Sequence, residues 1–494
     1  MADVDASAPP AKRARTESNG DGGKKQHVAT AAASKPWDVQ ASSYARRTVN
    51  PIRAIVDNMK APANPPKPII PLTIGDPTAF GNFKTPDIFV NGVVAAVRSF
   101  DYNGYTNSQG VAAARRAVAE GFTTPEAPVR EEDVIIASGC SGALEIAIKA
   151  FVSEGDNILL PRPGFSLYQT LTESNNGVCK FYDLVPERNW EADLASLEAA
   201  IDDRTRVILV NNPSNPCGSV YSKEHVLDIL AIAERHRLPI IADEIYRNLV
   251  WVGDDGKPLP EPAADAAAAN GGGMNGTAGA GAGAGAGAAA PASGFHAVAS
   301  LTTTVPVLST GGIAKEFLVP GWRVGWILVH DRNGVFAAPG RGGGPSLRAA
   351  LQRLTQLIVG ANTLVQAALP DILAPTQAAH VEALARFRAA TVQKLRRHAM
   401  FVYERLRKVP VLTPVLPQGA MYVMVRVDVD ALDGAVNNDQ EFCIRLLDEE
   451  CVAVLPGQCF GIKNFFRVVF CPPMDKLEEA CNRIAAFCAA HAKQ

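Results

Sequence analysis

Four short apolar runs constrain this chain more than any other feature: DVIIA (133–137), NILLP (157–161), RVILV (206–210) and LPIIAD (238–243). Each is rich in Val, Ile or Leu and lacks the polar alternation of a strand with one wet face. Such strands belong in a sheet covered on both sides, which in practice means a largely parallel one. Segments of helical period, ALEIAIKAFV (143–152) and KEHVLDILAIAERH (223–236), separate them. The pattern predicts an α/β fold, a mostly parallel sheet flanked by helices. The last third reads differently. A long helical pattern at 379–409 precedes the alternating strands AMYVMVRV (420–427) and FFRVVF (465–470), which predicts a smaller α+β domain.

Two stretches fall outside this scheme. Residues 1–36 are rich in Ala, Ser, Lys and Asp, have little to bury, and read as a disordered tail. Within them Lys12-Arg13-Ala14-Arg15 is a candidate nuclear import signal, though short basic runs are common in tails. Residues 254–293, which include AGAGAGAGAGAAA, have no pattern that builds a packed face and read as a flexible insertion. GRGGG at 340–344 reads the same way. The expected division is a large domain over 85–374 and a small one made from 43–84 and 375–494.

Composition narrows the function by exclusion. A net charge of −2 offers no general case for nucleic acid or an anionic membrane. No apolar run reaches the roughly 18 residues of a membrane span, and Asp3 and Asp5 argue against a signal peptide. Nine scattered cysteines without CxxC, and eight histidines without metal-ligand spacing, fit reduced thiols in a cytoplasmic protein and no metal site.

Ligands of parallel sheets bind beyond the carboxyl ends of the strands, so the residues after each run carry the chemistry. After DVIIA comes SGCSGALEIA, where small residues let backbone N–H groups at a helix start approach an anion. NNPSNPCG (211–218) follows RVILV and presents Asn215 on a stiff loop. LPIIA ends in Asp243-Glu244-Ile245-Tyr246, and acids at the end of a buried strand are costly without a partner. STGGIAKEFLVPGWRVGW (309–326) adds Lys315 among small residues, with Arg323 eight positions later. An anion cradle, a buried acid, an asparagine, a tyrosine, a lysine and an arginine together match pyridoxal 5′-phosphate. That cofactor needs a lysine for its aldehyde and an acid at its ring nitrogen.

These residues carry a family resemblance. GGxxK-x7-R within the same stretch, NPSNPCG, ADEIY and PRPGFSLY resemble the fold-type-I aminotransferases, and within them the tyrosine branch. The resemblance runs from NPIRAIVDNMK (50–60) through IGDPTAFG (74–81), YNGY (102–105) and VPGWRVGWI (319–327) to the FFRVV strand.

The resemblance implies that Lys315 forms the Schiff base and moves the substrate proton. It implies that Asp243 keeps the pyridine nitrogen protonated, that Tyr246 and Asn215 donate to the ring oxygen, and that Tyr168 stacks on the ring. The backbone of Gly139, Cys140 and Ser141, with Arg323, would hold the phosphate. Gly312 stands where many relatives have a phosphate-binding serine, and Ser309 is a candidate substitute. Arg467 would clamp the substrate carboxylate, with Gly75 offering its backbone to the same group, and Arg53 has no role assignable from chemistry. Tyr105 would reach the phosphate of a second subunit, so a homodimer with shared active sites is implied. The implied reaction passes the amino group of L-tyrosine, and of other aromatic amino acids, to 2-oxoglutarate. A carbon–sulfur lyase or a broad-specificity aminotransferase would use the same residues.

Overall fold

The computed structural model describes residues 37–57, 59, 62–257, 259, 294–340 and 343–493. The expected tail with its basic run, nearly all of the Gly-Ala insertion, and Arg341 and Gly342 of the glycine patch lie outside these. Residues 37–42 form a unit of their own without helix or strand, and residues 43–493 form the second.

Among the described residues, eight strands of the second unit form one sheet. They are β2 (Val134–Ala137), β3 (Asn157–Arg162), β4 (Val178–Val185), β5 (Glu191–Ala192), β6 (Thr205–Asn211), β7 (Ile240–Asp243), β8 (Val307–Gly312) and β9 (Gly325–His330). Their order is β2-β9-β8-β7-β6-β3-β4-β5. The pairs from β8 through β7, β6 and β3 to β4 are parallel, and β9 runs against both its neighbours. The mostly parallel sheet read from the four apolar runs is therefore present, and those runs supply β2, β3, β6 and β7.

The double coverage that such strands require is supplied by helices. Ile158, Val207, Leu209, Ile241 and Leu308 face one apolar layer with Ala143, Leu144 and Ala147 of the helix Gly139–Phe151. Leu159, Ile208, Val210 and Ile240 face another with Val226, Ile229 and Leu230 of the helix Lys223–Arg235. Each of these Val, Ile and Leu side chains contributes about 1.5–3 kcal/mol by leaving water. Ser222 starts the second helix by accepting a hydrogen bond from the His225 N–H at 3.2 Å.

The C-terminal part builds a second, antiparallel sheet in the order β10-β11-β14-β13. Its strands are β10 (Leu412–Pro414), β11 (Tyr422–Val427), β13 (Leu455–Pro456) and β14 (Phe465–Val469). In the register of β11 and β14, Met424 faces Arg467 and Tyr422 faces Val469. Tyr422 and Arg467 are thus diagonal neighbours on one face. The 29-residue helix Ala378–Leu406 packs its Leu395, Ala399, Val402 and Leu406 into the core of this sheet. A further parallel pair, β1 (Ile70–Pro71) with β12 (Val452–Ala453), ties residues 70–71 to the C-terminal part.

Candidate active site

One edge of the large sheet gathers the candidate residues. β2 ends just before Gly139, β6 just before the loop holding Asn215, β7 at Asp243, and β8 at the helix Ile313–Glu316 that carries Lys315. β9 runs the other way, so its start, preceded by Arg323, lies at the same edge. Close backbone contact is needed here. A Cβ on Gly325 would lie 2.4 Å from the Gly139 carbonyl carbon, and one on Gly312 would lie 2.9 Å from both Gly325 Cα and the Val324 oxygen. This accounts for Gly312: the space in which many relatives would place a serine side chain is filled by β9. Ser309 does not substitute for it, since its hydroxyl is enclosed in β8 without a hydrogen-bond partner among the described residues.

Asp243 is 3 % exposed. Its Oδ2 accepts a hydrogen bond from the Tyr168 hydroxyl at 2.6 Å, and its Oδ1 accepts from the Cys140 thiol at 3.6 Å and the Ile245 N–H at 3.3 Å. All three donors are neutral. Burial raises the carboxyl above its usual range, against the pull of the Tyr168 hydroxyl and the Ile245 N–H. Burial, with the Asp243 charge, also pushes the Cys140 thiol and the Tyr168 hydroxyl well up, so both stay protonated donors.

Lys315 Nζ donates to the Gly75 carbonyl at 2.6 Å and lies 5.9 Å from the Tyr246 ring centre. Its neighbour Glu316 is buried and fully engaged, accepting from Arg388 Nε at 2.6 Å and Asn248 Nδ2 at 2.7 Å. Arg467 is 4 % exposed and donates to Asn215 Oδ1 at 2.9 Å and to the Thr73 carbonyl. Its Nε has no hydrogen-bond partner, and burial lowers its basicity. Arg467 spends the Asn215 carbonyl, which leaves the Asn215 amide N–H₂ as the group able to donate. Arg323 lies against Gly139, donating to the Ser138 carbonyl at 3.3 Å and the Pro320 carbonyl at 3.1 Å. Among the described residues Lys315, Arg323 and Arg467 have no carboxylate partner, and Asp243 has no cation. The helix that begins at Gly139 has no side-chain cap, so the backbone of Gly139, Cys140 and Ser141 is open to an anion.

The placement departs from expectation at Tyr168. Its ring is 1 % exposed and its hydroxyl is spent on Asp243, so it has no open face on which a cofactor ring could stack. The half-buried Phe165, edge-on to it at 5.6 Å, is the aromatic with surface to offer. Tyr105 is not drawn into the cluster and is 96 % exposed. Arg53 is exposed on the short helix Pro51–Val56, with Asp57 as an ionic neighbour at 3.6 Å.

The sequence reading missed Tyr422. Its hydroxyl is 2.6 Å from that of Tyr246, and a Cβ on Gly75 would strike it at 2.1 Å. An aromatic in an alternating strand reads as core, and no local signal set it apart. Thr73 and Phe460 were missed too, since a backbone carbonyl that takes an Arg467 N–H and a ring that lies against its guanidinium leave no mark in the sequence.

Known proteins resemble this chain over most of its length. The family model of aminotransferase class I and II matches residues 67–484. Tyrosine aminotransferase of Mus musculus is 43 % identical over 455 residues, 92 % of this chain and 88 % of that protein. The Dictyostelium discoideum tyrosine aminotransferase is 40 % identical over 460 residues, 93 % of this chain and 98 % of its own. The crystal structure of tyrosine aminotransferase from Leishmania infantum superposes with a TM-score of 0.77 at 34 % identity, covering 92 % of this chain and all of that one.

Proposed function

The chain belongs to aminotransferase class I and II, and we propose that it moves the amino group of aromatic amino acids, L-tyrosine foremost, to 2-oxoglutarate, with pyridoxal 5′-phosphate as cofactor. One observation carries the reading: Lys315 Nζ and the Arg467 guanidinium converge on carbonyls two residues apart, those of Gly75 and Thr73. An amino acid held by its carboxylate at Arg467 would therefore present its α-carbon beside Lys315. The relatives named tyrosine aminotransferase, at 40–43 % identity, support the choice of donor.

The residues suit the cofactor. A buried acid without a cation fits a protonated ring nitrogen, and an uncapped helix start beside Arg323 fits a phosphate. The bound cofactor supplies an aldehyde for the amino group and a ring that accepts the electrons of the substrate carbanion. Asp243 holds the ring nitrogen proton; burial and neutral donors leave its charge unspent for that purpose. Tyr246 and the Asn215 amide donate to the ring oxygen. Phe165, rather than Tyr168, covers the ring, while Tyr168 orients Asp243. Lys315 Nζ takes the proton from substrate Cα, and Arg467 fixes the carboxylate so that this proton lies within its reach. Residues 43–84 with 375–494 would form the smaller lobe, since they supply both Gly75 and Arg467. A protein without a membrane-spanning helix among its described residues suits the cytoplasmic reading.

The test is a panel of amino donors with 2-oxoglutarate. L-tyrosine should give 4-hydroxyphenylpyruvate and glutamate in equal amounts, with no turnover when the oxo acid is omitted. Ammonia and pyruvate from a sulfur amino acid, formed without any oxo acid, would sink the reading in favour of a carbon–sulfur lyase.

The homodimer is part of the proposal. Tyr105 stands in solvent, and Leu357, Ile358 and Val359 form an exposed apolar run, a surface that a second copy would cover. Tyr105 then reaches the partner's phosphate. Losing that charge-assisted hydrogen bond should weaken cofactor binding about ten- to a hundredfold. Mixing Tyr105→Ala subunits with Lys315→Ala subunits at low cofactor should raise activity above either parent. In each mixed dimer one site carries both lesions and the other carries neither. Proven subunit exchange with no gain would place Tyr105 outside the partner's site.

A further inference from the structure

Tyr422 makes contacts that the roles above leave unused. It starts β11 on the face it shares with Arg467, and it is buried. The Arg467 guanidinium lies over its ring at 4.5 Å and over the Phe460 ring at 4.8 Å. Its hydroxyl meets that of Tyr246 at 2.6 Å, the two rings standing at 83°. Gly75, whose carbonyl takes the Lys315 amine, has no Cβ, and any Cβ there would overlap the Tyr422 hydroxyl. One side chain thus touches the neighbourhoods of the carboxylate clamp, the ring-oxygen donor and the lysine.

The consequences follow from two elementary facts. A guanidinium donates only in its own plane, so aromatic faces against it restrict tilting and keep its unused N–H groups aimed in fixed directions. Arg467 is buried, and among the described residues it has no carboxylate partner and its Nε has no acceptor. Its aim therefore depends on the rings, together with Asn215 and Thr73. Second, two hydroxyls in contact share one hydrogen. If Tyr422 is the donor, the Tyr246 proton is left for the site, and a hydroxyl that accepts a hydrogen bond donates a stronger one.

We propose that Tyr422 is a positioning residue for the reaction proposed above: its ring aims Arg467 at the substrate carboxylate, and its hydroxyl donates to Tyr246 so that Tyr246 donates into the site. The inference rests on that functional reading. Its two halves separate by substitution, because Tyr422→Phe keeps the ring and loses the hydroxyl, whereas Tyr422→Leu loses both.

The experiment uses the wild-type and both variant proteins loaded with pyridoxal 5′-phosphate. Two readouts are taken besides turnover: the calorimetric affinity for 3-phenylpropanoate, an unreactive carboxylate, and the midpoint of the bound cofactor's visible absorbance against pH. Tyr422→Phe should bind the carboxylate within about twofold of wild type, since the cation–π contact survives. Its midpoint should rise by about 0.3–1 pH unit, the equivalent of one hydrogen bond, because a weaker Tyr246 donor stabilises the anionic ring oxygen less. Tyr422→Leu should show the same rise and also lose about five- to tenfold in carboxylate affinity. Tyr422→Phe is nearly isosteric and decides the matter even if the leucine variant does not fold. An unchanged midpoint in Tyr422→Phe, or a tenfold loss of carboxylate affinity there, overturns the proposal. A wild-type protein that shows no visible band and no amino transfer would instead overturn the functional reading beneath it.

Discussion

Lys315→Ala should remove nearly all turnover, by at least about a thousandfold, and leave the fold as it was. The structure separates the two effects. Among the described residues Lys315 makes a single side-chain hydrogen bond, to the Gly75 carbonyl, and has no ion pair that its loss would orphan. The short helix that carries it is held by its neighbours: Glu316 by Arg388 and Asn248, Ile313 and Phe317 by burial in an apolar core. The melting temperature of the cofactor-free variant should therefore match that of wild type. Purified with pyridoxal phosphate, it should lack the visible absorbance of a lysine-bound cofactor. Added methylamine should restore a small part of the activity, because a free amine can accept the Cα proton in place of the missing side chain. A yellow variant with full activity would remove Lys315 from the reaction. Loss of activity accompanied by a large fall in melting temperature would make it structural.

How far the chain could be read without coordinates depended on the kind of signal. The strands at 133–137, 157–161, 206–210 and 238–243 were legible because burial on both faces leaves an unbroken apolar run. Asp243 was legible because a charged group at the end of such a run is expensive and so demands a reason, and Lys315 because it stands among small residues eight positions before Arg323. Tyr168 was legible as a residue of the site but not in its task. From PRPGFSLY alone, nothing says that helix geometry turns its hydroxyl towards Asp243 and leaves Phe165 with the exposed face. Tyr422 was hidden by its strand, where an aromatic on alternate positions is the ordinary core pattern. Its significance comes from register, which sets it diagonal to Arg467, and from a glycine 347 positions earlier, Gly75, that leaves room for its hydroxyl. Gly312 was seen as a missing serine and is better understood as packing, since the constraint lies in a strand that follows it. Long-range juxtaposition of this kind has no local trace.

Asp243→Asn should lower turnover by about a hundredfold or more while weakening cofactor binding far less. The surroundings of the native carboxylate set this expectation. Among the described residues it receives three neutral hydrogen bonds, from Tyr168, Cys140 and Ile245, and no cation. Burial makes its negative charge costly and raises its pKa. A ligand bearing a positive charge at this point relieves that cost, and the carboxylate in return keeps the ligand's ring nitrogen protonated. Asparagine preserves the shape, can still accept through its oxygen, and removes the charge. The ring nitrogen of a bound cofactor would then lose its reason to hold a proton and the ring its capacity to take up electrons, whereas Arg323 and the backbone at Gly139 would still hold the phosphate. Excess pyridoxal phosphate should saturate the variant without restoring its rate. Tyr168→Phe should do less, because it deletes one of three donors and leaves the charge in place. Its expected cost is about tenfold, the low end for one hydrogen bond to a charged group, because two other donors remain. Full recovery of Asp243→Asn at high cofactor would reduce Asp243 to a binding contact. A larger loss in Tyr168→Phe than in Asp243→Asn would show that the tyrosine, and not the acid it orients, carries the effect.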